Sequence, residues 1–503
     1  MGSPDVRIPT ATLRGVEAVP VAVEVSVSGG IPGLSIVGMP DASVLEARSR
    51  VRCALKACGY KIPRLHVTVN LAPAEIRKTG TAFDLPIAVA VLAATGQIPL
   101  EGLSRLLFVG ELALDGGVCP PRGAVAYAAL AERGGLSLVC SEQTRLPCAL
   151  STQAFGIPAI SRLRAGAREL PPLGAHALGA ERLDTSEEAH ALDFSDVADQ
   201  DIPKRAMVIA AAGRHGILMV GPPGAGKTML ARRMPTILPP LSDTERSESM
   251  LIHSVAGQPI EPLERGERPF RAPHHSISVG GLVGGGRPVM PGEVSLAHGG
   301  VLFLDELPEF ATNALQSLRQ PLEDHEVRIV RVDGVYVFPC DFQLVAAANP
   351  CPCGHLGDEG HECTCAPARI ASYQGRIGGP LMDRIDVAVD VHRPASTDVI
   401  RGSVGASSEE MLDQVMSARE FSSWREARDE ARLGDSIRGV ARLGFEPAAR
   451  TFFEESAERM ALGGRGIARV ARVARTIADL GGHELVSRDD VGEALQYRSR
   501  RQL

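Results

Sequence analysis

Residues 221 to 228 read Gly221-Pro222-Pro223-Gly224-Ala225-Gly226-Lys227-Thr228, a run whose residue types suit one kind of chemistry. Glycines let successive backbone N–H groups turn inward on an anion, and a helix beginning there adds the positive end of its dipole. A lysine ammonium then reaches the outer phosphates of a nucleotide such as ATP, and a threonine hydroxyl joins the shell of Mg²⁺. The run follows an apolar strand-like stretch, Ile217 to Val220, and precedes a helical pattern, the context a phosphate loop needs. Lysine occurs only at positions 56, 61, 78, 204 and 227, so composition alone does not produce the match.

Three further groups suit ATP hydrolysis. Gly300-Val-Leu-Phe-Leu304 reads as a buried strand ending in Asp305 and Glu306, and carboxylates at that end emerge where open parallel sheets bind ligands. Asp305 would hold Mg²⁺ and Glu306 would polarise the attacking water. The stretch Phe342 to Asn349 reads as a strand closing on an amide, which either orients that water or caps the strand. Arg384 opens another strand and is either a surface ion-pair partner or an arginine finger offered to a neighbouring subunit's ATP.

Cys351, Cys353, Cys363 and Cys365 form two C-x-C pairs, a set that can supply the four tetrahedral ligands of structural Zn²⁺. His355 or His361 could replace one thiol, and metal-free thiols or redox chemistry are the other readings. The remaining cysteines, at 53, 58, 119, 140, 148 and 340, read as small core side chains.

Two segments between the strands carry cations. Arg268-Pro-Phe-Arg271-Ala-Pro-His274-His275-Ser276, followed by glycines 280, 281, 284, 285 and 286 and by Arg287, reads as a mobile loop with cationic and polar tips. Val327 to Phe338 reads as two short strands about Asp333-Gly334, a hairpin signal. Surface loops and DNA-gripping loops are both open readings.

The elements that must position these groups follow from the apolar periodicity. Residues 1–175 alternate strand-like and helix-like runs, an α/β domain. Residues 176–195 read as a linker, 196–400 as a nucleotide-binding parallel sheet, and 401–503 as a helical closing domain. With 503 residues, 44% apolar and 22% charged, the chain reads as an ordinary globular protein of about three domains. Its net charge of -7 means that a polyanion has to be met by a local basic surface. The N-terminus has no signal-like apolar region and no stretch reads as a spanning helix, so a cytoplasmic address is expected.

Taken together, GIPGLSIVGMPDASVLEARSRVRCALK, NLAPAEIRKTGTAFDLPIA, RAPHHSIS, GEVSLAHGGVLFLDELPEF, AAANPCPCG, GPLMDRIDV and VARVARTIADL resemble the magnesium-chelatase-like AAA+ ATPases of the YifB/ComM family nearly end to end. The resemblance implies an N-terminal Lon-protease-like domain, an AAA+ core and a helical lid. It also implies a hexameric, DNA-acting motor similar to helicases that drive branch migration during integration of transforming DNA. A protein-remodelling or metal-chelatase-type subunit without nucleic acid is the alternative. By the same resemblance Asn349 is the sensor-1 residue, Arg384 the trans-acting arginine and Arg465 the sensor-2 arginine, with Arg469 its substitute one turn along. The N-terminal domain departs from the peptidase pattern, with Ala82 at the nucleophile position and Val125 at the lysine position, which leaves acyl chemistry without a route.

Overall fold

The computed structural model describes residues 6–62, 64–148, 150–174, 192–332, 334–358, 360–376, 379–382, 384–394, 397, 400, 405–433 and 439–498. Most of the expected linker, the hairpin apex at Asp333, and Asp383 lie outside these residues.

In the N-terminal part, Val6–Arg14 and Glu17–Ser28 pair antiparallel, His66–Ala72 joins antiparallel, and Gly33–Val37 runs parallel to it. Val21, Val23 and Val25 point inward and give the second strand one dry face, with Ala22 also buried and Glu24 and Ser26 on the outer side. The first strand carries Pro9, which masks it in the sequence, but it lies at the sheet edge, where a missing N–H is tolerated. A second, parallel sheet holds Leu106–Phe108, Ser137–Ser141 and Ala154–Ile157. The helix Asp84–Ala94 is buried from Asp84 through Ala93. Its Asp84 carboxylate accepts two bonds from the Arg50 guanidinium, at 2.6 and 2.9 Å, and one from the Leu112 amide. Ala82 and Val125 are both buried among apolar neighbours.

The central sheet has five parallel strands in the order Phe270–Arg271, Val301–Leu304, Gln343–Ala348, Gly216–Val220, Ile385–Asp390. Both faces are dry, as continuous apolar runs require. On one face Leu218, Val220, Leu302 and Leu344 pack with Leu282, Val294, Phe310 and Phe338. On the other, Ile217, Met219, Val345 and Val387 pack with Met207 and Ile209 of the helix Asp201–Gly213, and with Val415, Val470, Ala474 and Ile477. Those last four belong to C-terminal helices, Ser408–Leu433 and Gly464–Leu480. The closing region is helical as expected, with Pro447–Arg459 and Arg488–Gln496 completing it. Its helices share one core with the sheet, however, where the sequence suggested a separate unit. Within that region Asp479 is held between Arg425, at 3.0 and 3.1 Å, and Arg475, at 3.1 Å, all three side chains nearly out of water.

Two expectations are corrected. Of the six cysteines outside the quartet, only Cys140 and Cys340 are buried, while Cys53 and Cys148 are exposed. The glycine-rich segment is no free loop: Gly280 and Gly281 lie in the short helix Val279–Val283, and Leu282 is fully buried in the sheet's core. Arg268 is turned inward onto the carbonyls of Pro239 and Gly299, and Arg271 is paired with Glu293 at 2.6 and 2.8 Å. A loop that glycine frees in the sequence is pinned here by backbone carbonyls and a carboxylate that sequence spacing does not reveal.

The N-terminal part docks on the sheet domain. The helix Ala124–Arg133 lies against Asp243–Ala256, with the Gly123 amide donating to the Ser254 carbonyl at 2.8 Å and Val125 packing with Met250, Ile260 and Leu263.

Candidate nucleotide site

The phosphate loop joins the strand Gly216–Val220 to the helix Lys227–Arg233. Gly224 and Gly226 take φ of +78° and +91°, values that glycine adopts without strain. Lys227 is buried at the loop's centre, where its ammonium donates to the carbonyls of Gly221, at 2.8 Å, and Pro222, at 3.0 Å, and to Asn349 Oδ1 at 3.1 Å. Burial holds its pKa below the ordinary lysine value, partly offset by Asp305 and Glu306. A buried cation with only neutral first neighbours is a site that an anion completes.

Asp305 ends the strand Val301–Leu304 next to this loop, and its Oδ2 accepts from the Thr228 hydroxyl at 2.9 Å. That hydroxyl–carboxylate pair is a hard oxygen donor set suited to Mg²⁺. Glu306 follows at φ +51°, a left-handed backbone that costs a non-glycine residue of order 1–3 kcal/mol and concentrates at functional sites. It turns the carboxylate away from the strand into water and onto His275 Nδ1 at 3.2 Å. The sequence left the segment with His274 and His275 open between a surface loop and a DNA-gripping one, and the structure brings His275 to Glu306. Tyr373, buried nearby, was not anticipated: burial, with Glu309 and Glu306 close, pushes its hydroxyl up to about 12. Asn349 stands just past the strand Gln343–Ala348, so the loop, both acids and the amide converge at the C-terminal ends of three neighbouring interior strands.

Arg384 does not join them. It immediately precedes Ile385–Asp390, whose first residue pairs with Gly216 and whose last pairs with Val220. It therefore lies at the N-terminal ends of the strands, about 16 Å of strand from the chain's own phosphate loop. There it forms an ion pair with Glu323. Arg465, at the start of Gly464–Leu480, lines a cavity of about 420 Å³ with Arg384, Arg469 and Arg472. Arg469 is buried, donating to the Ile385 carbonyl at 3.1 Å, and Arg472 reaches Asp386 at 3.1 Å. Asp386 in turn holds the buried His215, which also meets Thr476 at 2.9 Å, tying the Arg384 strand to the C-terminal helices.

The hairpin is present as Glu326–Arg331 paired with Gly334–Pro339. Arg328 and Arg331 are exposed on it, Val330 and Val332 stand in water, and Arg287 is exposed on the neighbouring glycine turn. Gly15 of the N-terminal part packs against the Val337 carbonyl, and the Arg14 guanidinium lies beside Gly334. The cysteine quartet is also brought together: Cys351, Cys353 and Cys363 sulfurs lie 3.3 to 3.7 Å apart, and Cys365 completes a set within 4.8 Å.

A parallel sheet in this order, with a glycine loop at its centre and acids on the next strand end but one, defines a P-loop protein of the AAA+ type. Residues 193–399 match the family model of magnesium chelatase subunit ChlI, residues 23–143 a second ChlI model, and 405–498 that of the ChlI C-terminal part. The uncharacterized protein YifB of Escherichia coli is 40% identical, covering 97% of this chain and 96% of its own. Competence protein ComM of Haemophilus influenzae is 38% identical, with 96% of each covered. The magnesium-chelatase 67 kDa subunit of Chlorobaculum parvum is 27% identical over 31% of this chain and 23% of its own. The chain belongs to the magnesium-chelatase-like family that includes YifB and ComM. Among the described residues no helix is long and apolar enough to cross a membrane.

Proposed function

We propose that this protein is an ATPase that couples ATP hydrolysis, with Mg²⁺, to movement of branched or single-stranded DNA through a ring of copies, in the manner of a branch migration helicase promoting integration of transformed DNA. The observation that carries the ring is the separation of the two half-sites. Lys227, Thr228, Asp305, Glu306 and Asn349 lie at the C-terminal ends of the strands, and Arg384 with Arg465 at the N-terminal ends. An arginine that cannot reach its own chain's nucleotide is suited to a neighbour's, where it stabilises charge developing on the γ-phosphate. Such a ring closes when each chain offers its loop to one neighbour and its arginines to the other, and six copies is the number the resemblance implies.

In this reading Gly221 to Gly226 wrap the phosphates, Lys227 neutralises them, and Thr228 with Asp305 holds the metal. The metal supplies charge neutralisation on the phosphate oxygens. Glu306 accepts a proton from the attacking water, and Asn349 orients it. Exposed Arg287, Arg328 and Arg331 grip the DNA backbone, and the likeness to a competence protein, ComM, supports the reading. The cysteine quartet binds a structural zinc ion.

The family match to chelatase subunits favours a second reading, a protein-remodelling or metal-chelatase-type AAA+ subunit that works without nucleic acid. ATP turnover measured with and without forked DNA separates the two. Stimulation by DNA supports the motor, whereas turnover indifferent to single-stranded, forked and four-way DNA, with no salt-sensitive DNA binding, sinks it.

A further inference from the structure

The cysteine quartet stands against the phosphate loop. Between Asn349 and the helix Pro367–Gly375 the described chain forms neither helix nor strand, so its shape depends on what its side chains bind. Zn–S bonds of about 2.3 Å in a tetrahedron put sulfurs roughly 3.8 Å apart, and the spacings here, 3.3 to 3.7 Å, are close to that edge. A cluster of larger iron–sulfur type would need the four sulfurs farther apart than the 4.8 Å that encloses them.

Three contacts run from this knuckle to the loop. Cys351 follows Asn349 by two residues, and the Asn349 amide accepts from Lys227. Gly354, whose amide is held by the Cys351 carbonyl at 2.9 Å, lies flat on Pro223: a Cβ there would come within 2.6 Å of the proline Cδ. Arg393 donates to the Pro223 carbonyl at 3.3 Å while its guanidinium also meets Asp358, at 3.3 Å, and His361, at 3.1 Å. His355, Asp358 and His361 form a second cluster with ligand-like spacing, but Arg393 already supplies its cation. That cluster therefore acts as a strut between the knuckle and the loop.

Resting on the nucleotide-site reading above, we propose that a zinc-type ion held by Cys351, Cys353, Cys363 and Cys365 braces the phosphate loop through Gly354 and Arg393, so that metal occupancy sets nucleotide affinity. The ion touches no phosphate. It fixes the shape of a loop whose prolines would otherwise be supported on one side only, and ligation supplies the ordering energy.

The test uses the full chain purified without chelator. Elemental analysis should find about one zinc per chain. Stripping it with a strong chelator, removing the chelator and restoring Mg²⁺ should weaken binding of a fluorescent non-hydrolysable ATP analogue at least tenfold, and added zinc should restore it. Arg393→Gln, which leaves all four thiols in place, should keep its zinc and still lose several-fold in analogue affinity. Zinc content near zero, unchanged affinity after stripping, unchanged affinity in Arg393→Gln, or global unfolding on stripping seen by circular dichroism each overturns the brace. Lys227→Ala is the control: if it binds the analogue like the parent, the nucleotide site itself is wrongly placed and the brace falls with it.

Discussion

His275 Nδ1 lies 3.2 Å from a carboxylate oxygen of Glu306, so the carboxylate proposed to accept a proton from water meets a side chain from the segment that follows the edge strand. His275 follows the edge strand Phe270–Arg271, in the segment that leads to the glycine turn and Arg287. The imidazole stands against the carboxylate oxygen that a water would approach. Substituting His275 by Ala should therefore raise ATP turnover in the absence of DNA by several-fold, without tightening nucleotide binding. A steady-state assay beside an analogue titration reads both, and a fall in turnover would assign His275 to catalysis instead.

Glu306→Gln should bind nucleotide as the parent does and lose about 10² to 10⁴ in hydrolysis, the range for general-base groups. Single-turnover hydrolysis beside analogue binding checks it. Parent-like turnover would remove Glu306 from the role.

Chains carrying Arg384→Ala and chains carrying Lys227→Ala should each be inactive alone and recover part of the activity when mixed. At a hybrid boundary an intact loop then faces an intact arginine. No recovery, with co-assembly verified by sedimentation, would count against action across a boundary.

ATP binding should take up protons at alkaline pH. Burial depresses Lys227 in the free site, and a bound polyanion favours its charged form. Below the depressed value the lysine is protonated in both states and affinity is full. As pH rises from there toward the higher value of the complex, binding requires a proton and affinity falls. Calorimetry in buffers of different ionisation enthalpy measures the uptake, and Lys227→Met should abolish it.

Asp479→Ala should destabilise the chain by about 1–3 kcal/mol, because it removes the carboxylate that Arg425 and Arg475 share in a nearly dry setting and leaves Arg425 its longer pairs with Asp429 and Glu426 and Arg475 its carbonyl partners. Chemical denaturation reads the loss. A change below about 1 kcal/mol would show that water reaches these guanidinium groups.

What could be read from the sequence was local. The phosphate loop needs only its own spacing and two flanking patterns, and the strand ending in Asp305 and Glu306 declares itself by a continuous apolar run. The C-terminal helices follow from the period of their apolar residues, as in Gly464–Leu480. Relationships between distant segments were not legible. Nothing near Arg268 in the chain announces that its partners are the carbonyls of Pro239 and Gly299, so a buried cation read as an exposed one. Arg465 gave no sign that it shares a cavity with Arg384, because that depends on how the C-terminal helices seat on the sheet. Pro9 hid a real strand, since edge position is decided by pairing order and not by the strand's own residues.

The core shared between the sheet and the C-terminal helices has a consequence for how the chain matures on the ribosome. The core on one side of the sheet takes in Val470, Ala474, Ile477 and Ala494, so that core cannot close until residue 494 has emerged. Domains generally fold in the order in which they are synthesised, and the N-terminal sheets can follow that rule. The phosphate loop, though translated long before Gly464–Leu480, waits for that core to close. A chain cut after residue 400 would keep every residue of the loop and both acids, yet it would strip the helix Asp201–Gly213 and the strand Ile385–Asp390 of the apolar cover of Ser408–Leu433 and Gly464–Leu480, and aggregate instead of binding nucleotide.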